Sequence, residues 1–461
     1  MRIVFDRGTV LVAESPPVPE LATVPGLLWD PRIGRYRAAG YRHAEVRAAL
    51  VTRGYEVIDE VARLEDAPVF KRPLELRPYQ EEALRTWERR GRRGVVVLPT
   101  GSGKTRLAIA AIAGSAMASL CLVPTRVLLE QWVRELSERV AGPIGRLGDG
   151  DHVIAPVTVA TYESAYRRME LIGNRFALLV VDEAHHFGAG MRDEALEMAI
   201  APARLGVTAT PVADAEARVA SARLLGPVIY ELHIGDLAGT FLATFDVITL
   251  HVQLRADEEA RYVRWRATFR EALALFRRTS PNGTWREFTL AASRTTQGRA
   301  ALHAWQRTRR LVAWCEEKRA LIGELLARHR AARVLVFVAD NAAAYAIARE
   351  HLVMPLTCDI GRAERAAALA AFAAGTLRVL VSARVLNEGL DVPAADVAII
   401  VGGTQGEREH VQRIGRLLRP APGKRATVYE LVVRDTHEVA QAARRRQGLA
   451  GRTAAPVQAL G

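Results

Sequence analysis

GVVVLPTGSGKT, residues 94–105, is the stretch that decides the fold. An uncharged, valine-rich run reads as a buried strand, Gly101 and Gly103 punctuate a tight loop, and Lys104 and Thr105 open a helix. A glycine-rich turn between strand and helix lets backbone N–H groups close on phosphate oxygens at a helix N-terminus. In such a loop of Gly101, Ser102 and Gly103, Lys104 reaches the β- and γ-phosphates of a nucleotide and Thr105 ligates Mg²⁺. The chain holds only four lysines, Lys71, Lys104, Lys318 and Lys424, so a lysine at this place is a strong coincidence with chemistry. The usual pattern carries a small residue where Leu98 stands.

Outward from that loop, apolar runs alternate with helical stretches: SLCLV, VTVA, ALLVVD and RLGVTAT, each with turn residues at its carboxyl end. This is the pattern of a doubly wound parallel sheet, whose ligands sit beyond the carboxyl ends of the strands. ALLVVDEAHHF ends one such run in Asp182 and Glu183. Adjacent acids there suit a pair in which one holds Mg²⁺ and the other polarises the attacking water. His185 and His186 have no cysteine or second histidine pair at ligand spacing, which argues against a structural metal. The alternation fades after about Leu232 and restarts with RVLVFVA, MPLTC, RVLVSA, DVAIIV and ATVYELVV, so a second α/β half follows the first.

Length and charge agree with several domains. The 461 residues exceed one folded unit. Lys plus Arg is 64 against 51 acidic residues, net +13, which favours a polyanionic partner. Residues 255–330 hold 17 basic against 8 acidic residues in a helical, Ala/Leu-rich stretch, where the plain alternative is a solvated face. Cys121, Cys315 and Cys358 lie far apart with no CxxC pair, which disfavours a disulfide framework or iron–sulfur cluster and points to a reducing cytoplasmic, nucleoid-associated setting. Arg2, Asp6 and Arg7 interrupt the opening residues, so no secretory signal or membrane anchor is expected there. Leu107–Thr125 is uncharged but reads as a helix followed by a buried strand rather than a membrane span.

In order, PTGSGKT, VPTRVLLEQW, TVATYES, DEAH, TATP, SARVLNEGLDVP and QRIGRLLRP resemble the motif series of a superfamily-two helicase. LRPYQ before the loop, DRGTVLV and DPRIGRYRAAGYRH near the start, and EREHVQRIGRLLRP narrow the resemblance to the XPB family. It implies an α/β fold of two RecA-like doubly wound parallel-sheet lobes, with a small α+β N-terminal domain and a helical thumb-like insertion. The expected boundaries are 1–72 for a DNA-sensing domain, 73–240 for lobe 1 and 241–461 for lobe 2, with the insertion at about 256–312.

The resemblance also implies roles. Gln80, with Arg77, reads the adenine; Lys104, Thr105, Asp182 and Glu183 serve ATP and Mg²⁺, with His185 in the nucleotide site. Gly389, Asp391 and Gln412 contact the nucleotide, and Arg416 and Arg419 reach it from the other lobe, where a permanent guanidinium stabilises spreading phosphoryl charge. Thr125, Arg126, Thr161, Arg384 and Asn387 follow a DNA strand through its phosphates. Trp132, three and four positions after Leu129 and Leu128, reads as core rather than a stacking platform. The Arg-Glu-Asp loop of archaeal and eukaryotic relatives is missing, and Ala213, Asp214 and Ala215 stand in its place; that bears on strand separation, not on hydrolysis. The implied activity is 3′-to-5′ movement on single-stranded or forked DNA in repair or transcription, any cleavage needing a partner nuclease. An RNA helicase and a non-unwinding DNA-binding ATPase or recruitment subunit are the alternatives.

Overall fold

The structure is a computed structural model and describes residues 1–13, 19–188, 190, 192–212, 214–237, 241, 244–383, 395–402 and 425–447. Two compact units divide the chain, Met1–Leu232 and His233–Gly461. In the first, eight strands lie side by side in the order Asp151–Val153, Gly145–Gly148, Val157–Thr161, Ser119–Val123, Leu178–Asp182, Ala203–Thr208, Arg93–Val97 and Val228–Glu231. All pairings are parallel except that of the first two. Central strands with apolar residues on both faces must be covered on both. Leu120, Leu122, Leu179 and Val181 accordingly sit in one core with Ala165 and Met169 from the helix Tyr162–Ile172.

Strand order positions the chemistry. The strand feeding the glycine loop and the strand ending in Asp182 flank Ala203–Thr208 on either side, so three carboxyl ends converge at one edge. The residues from Leu107 to Thr125 form the end of helix Lys104–Ser115 and the buried strand Ser119–Val123, as the sequence suggests.

The N-terminal residues form a separate five-stranded sheet, Leu28–Asp30, Arg35–Ala39, Thr9–Val12, Arg2–Asp6 and Ile58–Glu60, backed by helix His43–Thr52. Within the first unit this sheet is seated directly on the larger one. Ile200 belongs to its core, Asn174 Nδ2 donates to Val61 O at 2.9 Å, and a side chain at Gly40 would meet Met198 O at 2.4 Å. Arg204 is wholly buried and donates to the carbonyls of Ala201, Leu196, Leu224 and Ala199 at 2.7–3.0 Å.

The second unit holds a six-stranded, all-parallel sheet in the order Thr244–Val252, Arg425–Val433, Val397–Ile400, Val334–Phe337, Val379–Ser382 and Met354–Leu356. Helices Ala256–Thr279, Trp285–Ser293 and Thr296–Ala313 follow the first strand of this sheet and close on Phe269, Phe276, Trp285, Phe288 and Trp305. Lys318, fully buried, donates to both carboxylate oxygens of Glu438 at 2.9 and 2.8 Å and to Val401 O. The units part at 232/233 rather than 240/241, because Val228–Glu231 closes the first sheet and the short helix Ile234–Leu237 goes with the second unit.

Candidate active site

The glycine loop is held from below by the helix Pro78–Arg89. Pro at its first position needs no partner for a missing N–H, and Arg77 precedes it in extended conformation. Gln80, only 1% exposed, accepts from Arg77 N at 2.9 Å through Oε1 and donates from Nε2 to Ser102 O and Gly103 O at 2.8 and 3.2 Å. Tyr79 adds a hydrogen bond to Ser102 O at 2.6 Å. Gly101 and Gly103 have φ of 84° and 82°, and a Cβ at Gly103 would lie 2.6 Å from Gln80 Nε2. Conformation and space therefore both require glycine at 103. Ser102 is buried and bonds to Pro99 O at 2.6 Å, so its hydroxyl shapes the loop. Lys104 folds back over the loop, its Nζ donating to Leu98 O at 3.3 Å. Thr105 follows in the first helical turn.

Across the Ala203–Thr208 strand, Asp182 caps the end of its own strand. Its Oδ1 accepts from Glu183 N at 2.9 Å and its Oδ2 from the Trp132 indole N–H at 2.9 Å. Glu183 stands in left-handed backbone, φ 50°, a conformation costly for a residue with a side chain and met at functional turns. Tyr162 OH fixes that turn by donating to the carbonyls of Asp182 and Glu183. His185, buried, contacts Thr208 Oγ1 at 2.9 Å, and Thr208 Oγ1 donates to Thr210 O at 2.9 Å, which links the DEAH turn to the TAT segment.

Burial, and then the neighbouring Glu183 charge, push the Asp182 carboxyl above the usual carboxylate range. Burial acts the same way on Glu183, but the His185 imidazole and the Lys104 ammonium outweigh it and hold that group low. Glu183 Oε2 is a buried atom that accepts no hydrogen bond from the described residues, with His185 Nδ1 3.4 Å away. With only this long contact from His185, the oxygen keeps room for a ligand or water to serve it. Asp182 and Thr105 offer oxygen donors, the ligand type that suits a hard divalent cation such as Mg²⁺.

Thr125 and Thr161 are both N-caps at the carboxyl edge of the same sheet. Thr125 Oγ1 accepts from Leu128 N at 3.3 Å at the start of helix Arg126–Ser137, and Thr161 Oγ1 accepts from Ser164 N at 3.2 Å. Arg126 Nη1 pairs with Asp149 at 2.6 Å on an exposed surface. Thr161 also donates to Ser164 Oγ at 2.9 Å, so helix capping is its first task. Asp214 likewise builds a helix start: it accepts from Ala217 N at 2.8 Å and caps Ala215–Leu225. Arg384, Asn387, Gly389, Asp391, Gln412, Arg416 and Arg419, with Ala213, lie outside the described residues.

Trp132 is fully buried, as its spacing suggests, yet it also serves the site through Asp182, which helical spacing does not reveal. A tryptophan in a core needs a partner for its N–H, and that general rule was the available signal. Among the described residues no group of three or more His, Cys, Asp and Glu is placed to hold a metal, and no helix is long and apolar enough to cross a membrane.

A glycine-loop lysine, a DEAH carboxylate pair and a threonine-linked TAT strand, on the carboxyl edge of one of two parallel sheets, define a superfamily-two helicase ATPase. Residues 3–61 match the xeroderma pigmentosum group B helicase damage recognition domain, 73–213 the type III restriction enzyme res subunit, and 317–421 the helicase conserved C-terminal domain. The chain is 33% identical to the DNA 3'-5' translocase XPB2 of Sulfurisphaera tokodaii over 92% of its own length and 97% of that protein. It is 29% identical to the DNA 3'-5' helicase XPB of Mycobacterium tuberculosis over 82% of its length but 64% of that protein. The chain belongs to the XPB family. The Hef helicase domain of Pyrococcus furiosus shares its fold, with a TM-score of 0.55 at 20% identity over 80% of this chain and 98% of that one.

Proposed function

We propose that this XPB-family enzyme is an ATP-driven 3′-to-5′ DNA translocase whose main output is movement along DNA rather than wedge-driven strand opening. The observation that carries the reading is the placing of Lys104, Asp182 and Glu183 at one carboxyl edge of the first sheet, together with an Asp214 that caps a helix where the resemblance leads one to expect an opening loop. The family's DNA 3'-5' helicases and translocases, in the words of the relatives' names, support the direction and the polymer.

In this reading Lys104 leaves the Leu98 carbonyl to meet the β- and γ-phosphates, and Gly101, Ser102 and Gly103 supply the N–H cradle. Thr105 and Asp182 would hold Mg²⁺, which, when bound, neutralises charge on the β- and γ-oxygens. Glu183, through its Oε2, orients the attacking water. Arg77 and Gln80 serve the adenine, and Gly389, Asp391 and Gln412 the rest of the nucleotide. Arg416 and Arg419 take the arginine-finger role. Thr125, Arg126, Thr161, Arg384 and Asn387 form the phosphate track. A repair or transcription protein, or a nuclease, is the proposed protein partner, since relatives are named as subunits of general transcription and DNA repair factor IIH.

Displacement of a triplex-forming strand and of a duplex strand, measured on one preparation, tests the reading. ATP-dependent triplex displacement with weak unwinding is the expected result. Efficient unwinding without any partner would show that Asp214's segment is not the limiting feature.

A further inference from the structure

A cavity of about 930 Å³ opens in the second unit, lined by Trp265, Arg307, Arg310, Trp314, Asn341 and Cys358. Nothing in the hydrolysis chemistry uses it. Trp265 comes from helix Ala256–Thr279, Arg307 and Arg310 lie one turn apart on Thr296–Ala313, and Trp314 ends that helix. The facing wall is the start of helix Asn341–His351, which Asp340 caps by accepting from Ala343 N at 2.9 Å. The site thus combines two half-buried indoles with two exposed guanidinium groups, against Asp340, which is engaged in capping, and Asp359, which accepts from Asn341 Nδ2 at 3.1 Å beside Cys358.

Indoles next to arginines are the chemistry of an unstacked nucleobase and its phosphates. Aromatic faces stack any base, and a planar guanidinium grips phosphate. The volume is in the range that holds a nucleotide-sized ligand. Arg307 already lies over the Trp265 ring, 5.8 Å from its centroid. An exposed cation–π contact is weaker than the stacking of a base on an aromatic side chain. A base would therefore displace the guanidinium from the ring and leave it to a phosphate.

We propose that this pocket captures one unstacked base of a bound DNA single strand, stacked on Trp265 with Trp314 beside it in the wall, and with the flanking phosphates on Arg307 and Arg310. A strand, rather than a free nucleotide, is favoured by charge. Residues 255–330 carry 17 basic against 8 acidic residues, so basic groups continue beyond the pocket on the helices that form it. The proposal rests on the DNA-motor reading and adds to it a contact with a base face, independent of sequence.

The cysteines provide a direct probe. Cys121 and Cys315 are buried, whereas Cys358 is exposed and lines the pocket. Maleimide labelling of the native full-length chain therefore reports on Cys358. An oligo-dT strand is expected to slow labelling, an abasic strand of equal length to slow it much less, and free dTMP not at all. Trp265→Ala should remove the protection and weaken oligo-dT binding about tenfold, while Trp265→Phe restores both. Arg307→Gln, on an exposed residue, gives a variant with little risk to folding and should weaken binding with a smaller salt dependence. Unchanged labelling under conditions where oligo-dT binds and stimulates ATP turnover would overturn the pocket and leave the motor reading standing. Equal protection by the abasic strand, or by dTMP, would also overturn it, the latter by assigning the pocket to a free nucleotide. Absence of any DNA binding or stimulation would remove both readings.

Discussion

The Trp132 indole N–H donates to Asp182 Oδ2 at 2.9 Å, between two buried side chains fifty residues apart in sequence. The helix that carries Trp132 begins at the Thr125 cap, so one rigid element runs from a proposed phosphate contact to a proposed Mg²⁺ ligand. Trp132→Phe keeps most of the packing and removes the donor. A hydrogen bond to a charged group contributes about 1.5–3 kcal/mol, so ATP turnover at low Mg²⁺ should fall roughly tenfold or more and recover in part as Mg²⁺ is raised. Mg²⁺ titrations of turnover check this, and a curve superimposable on the parent's would reduce Trp132 to packing.

Lys104→Ala and Glu183→Gln should abolish hydrolysis while the circular dichroism spectrum keeps its native form, since neither side chain belongs to an apolar core. Lys104→Arg should fail as well, because a planar fork does not replace a compact ammonium inside a narrow loop. Turnover retained in any of the three contradicts the site.

Arg416→Ala or Arg419→Ala should lower turnover about a thousandfold if that residue is the finger, with nucleotide binding changed far less. Steady-state turnover beside equilibrium ATP binding separates the two. A loss confined to DNA affinity would move the residue to the phosphate track.

Arg204→Met keeps the volume of a buried side chain and removes the donor to the carbonyls of Ala201, Leu196 and Ala199, while Leu224 O keeps Arg93 Nη2 at 3.4 Å. Burial already works against the Arg204 charge and pushes its pKa down, so those carbonyls are what hold it. Each unsatisfied buried group costs about 1–3 kcal/mol, so the melting temperature should drop by several degrees. A thermal melt of the variant decides it, and no change would mean that water replaces the guanidinium.

His437 is held below its ordinary value of 6.5, chiefly by burial, with Glu438 opposing and Arg309, Lys318 and Arg266 assisting. A folded-state value below the unfolded one means that the unfolded chain binds the proton more readily. The stability this histidine supports is full above about pH 6.5 and is lost as pH falls below it. Chemical denaturation between pH 7.5 and 5.5 should show the loss, and His437→Gln should flatten it.

The sequence makes the glycine loop, the DEAH turn and the alternation of strands with helices legible because each is local. Gly101 and Gly103 announce positive φ, and uncharged valine runs announce buried parallel strands. What it hides is long-range. Thr244–Val252 gives no turn or loop signal of its own, and becomes an edge strand by pairing through nine residues with Arg425–Val433. Arg204 reads as a polar strand start until four carbonyls from distant turns surround it. GRLGDGDHV, rich in glycine and acid, looks like loop yet forms an antiparallel pair at the sheet edge. The seating of the N-terminal sheet depends on Gly40 and Gly8 meeting Met198, a fit no periodicity encodes.

The central claim is ATP-driven 3′-to-5′ movement on DNA, and streptavidin displacement from end-biotinylated single strands tests it most directly. With ATP and Mg²⁺, streptavidin should be driven from the 5′ end and left on the 3′ end, on DNA and not on RNA of the same sequence, with no displacement by Lys104→Ala. Displacement from the 3′ end, equal loss from both ends, or a preference for RNA would contradict the account.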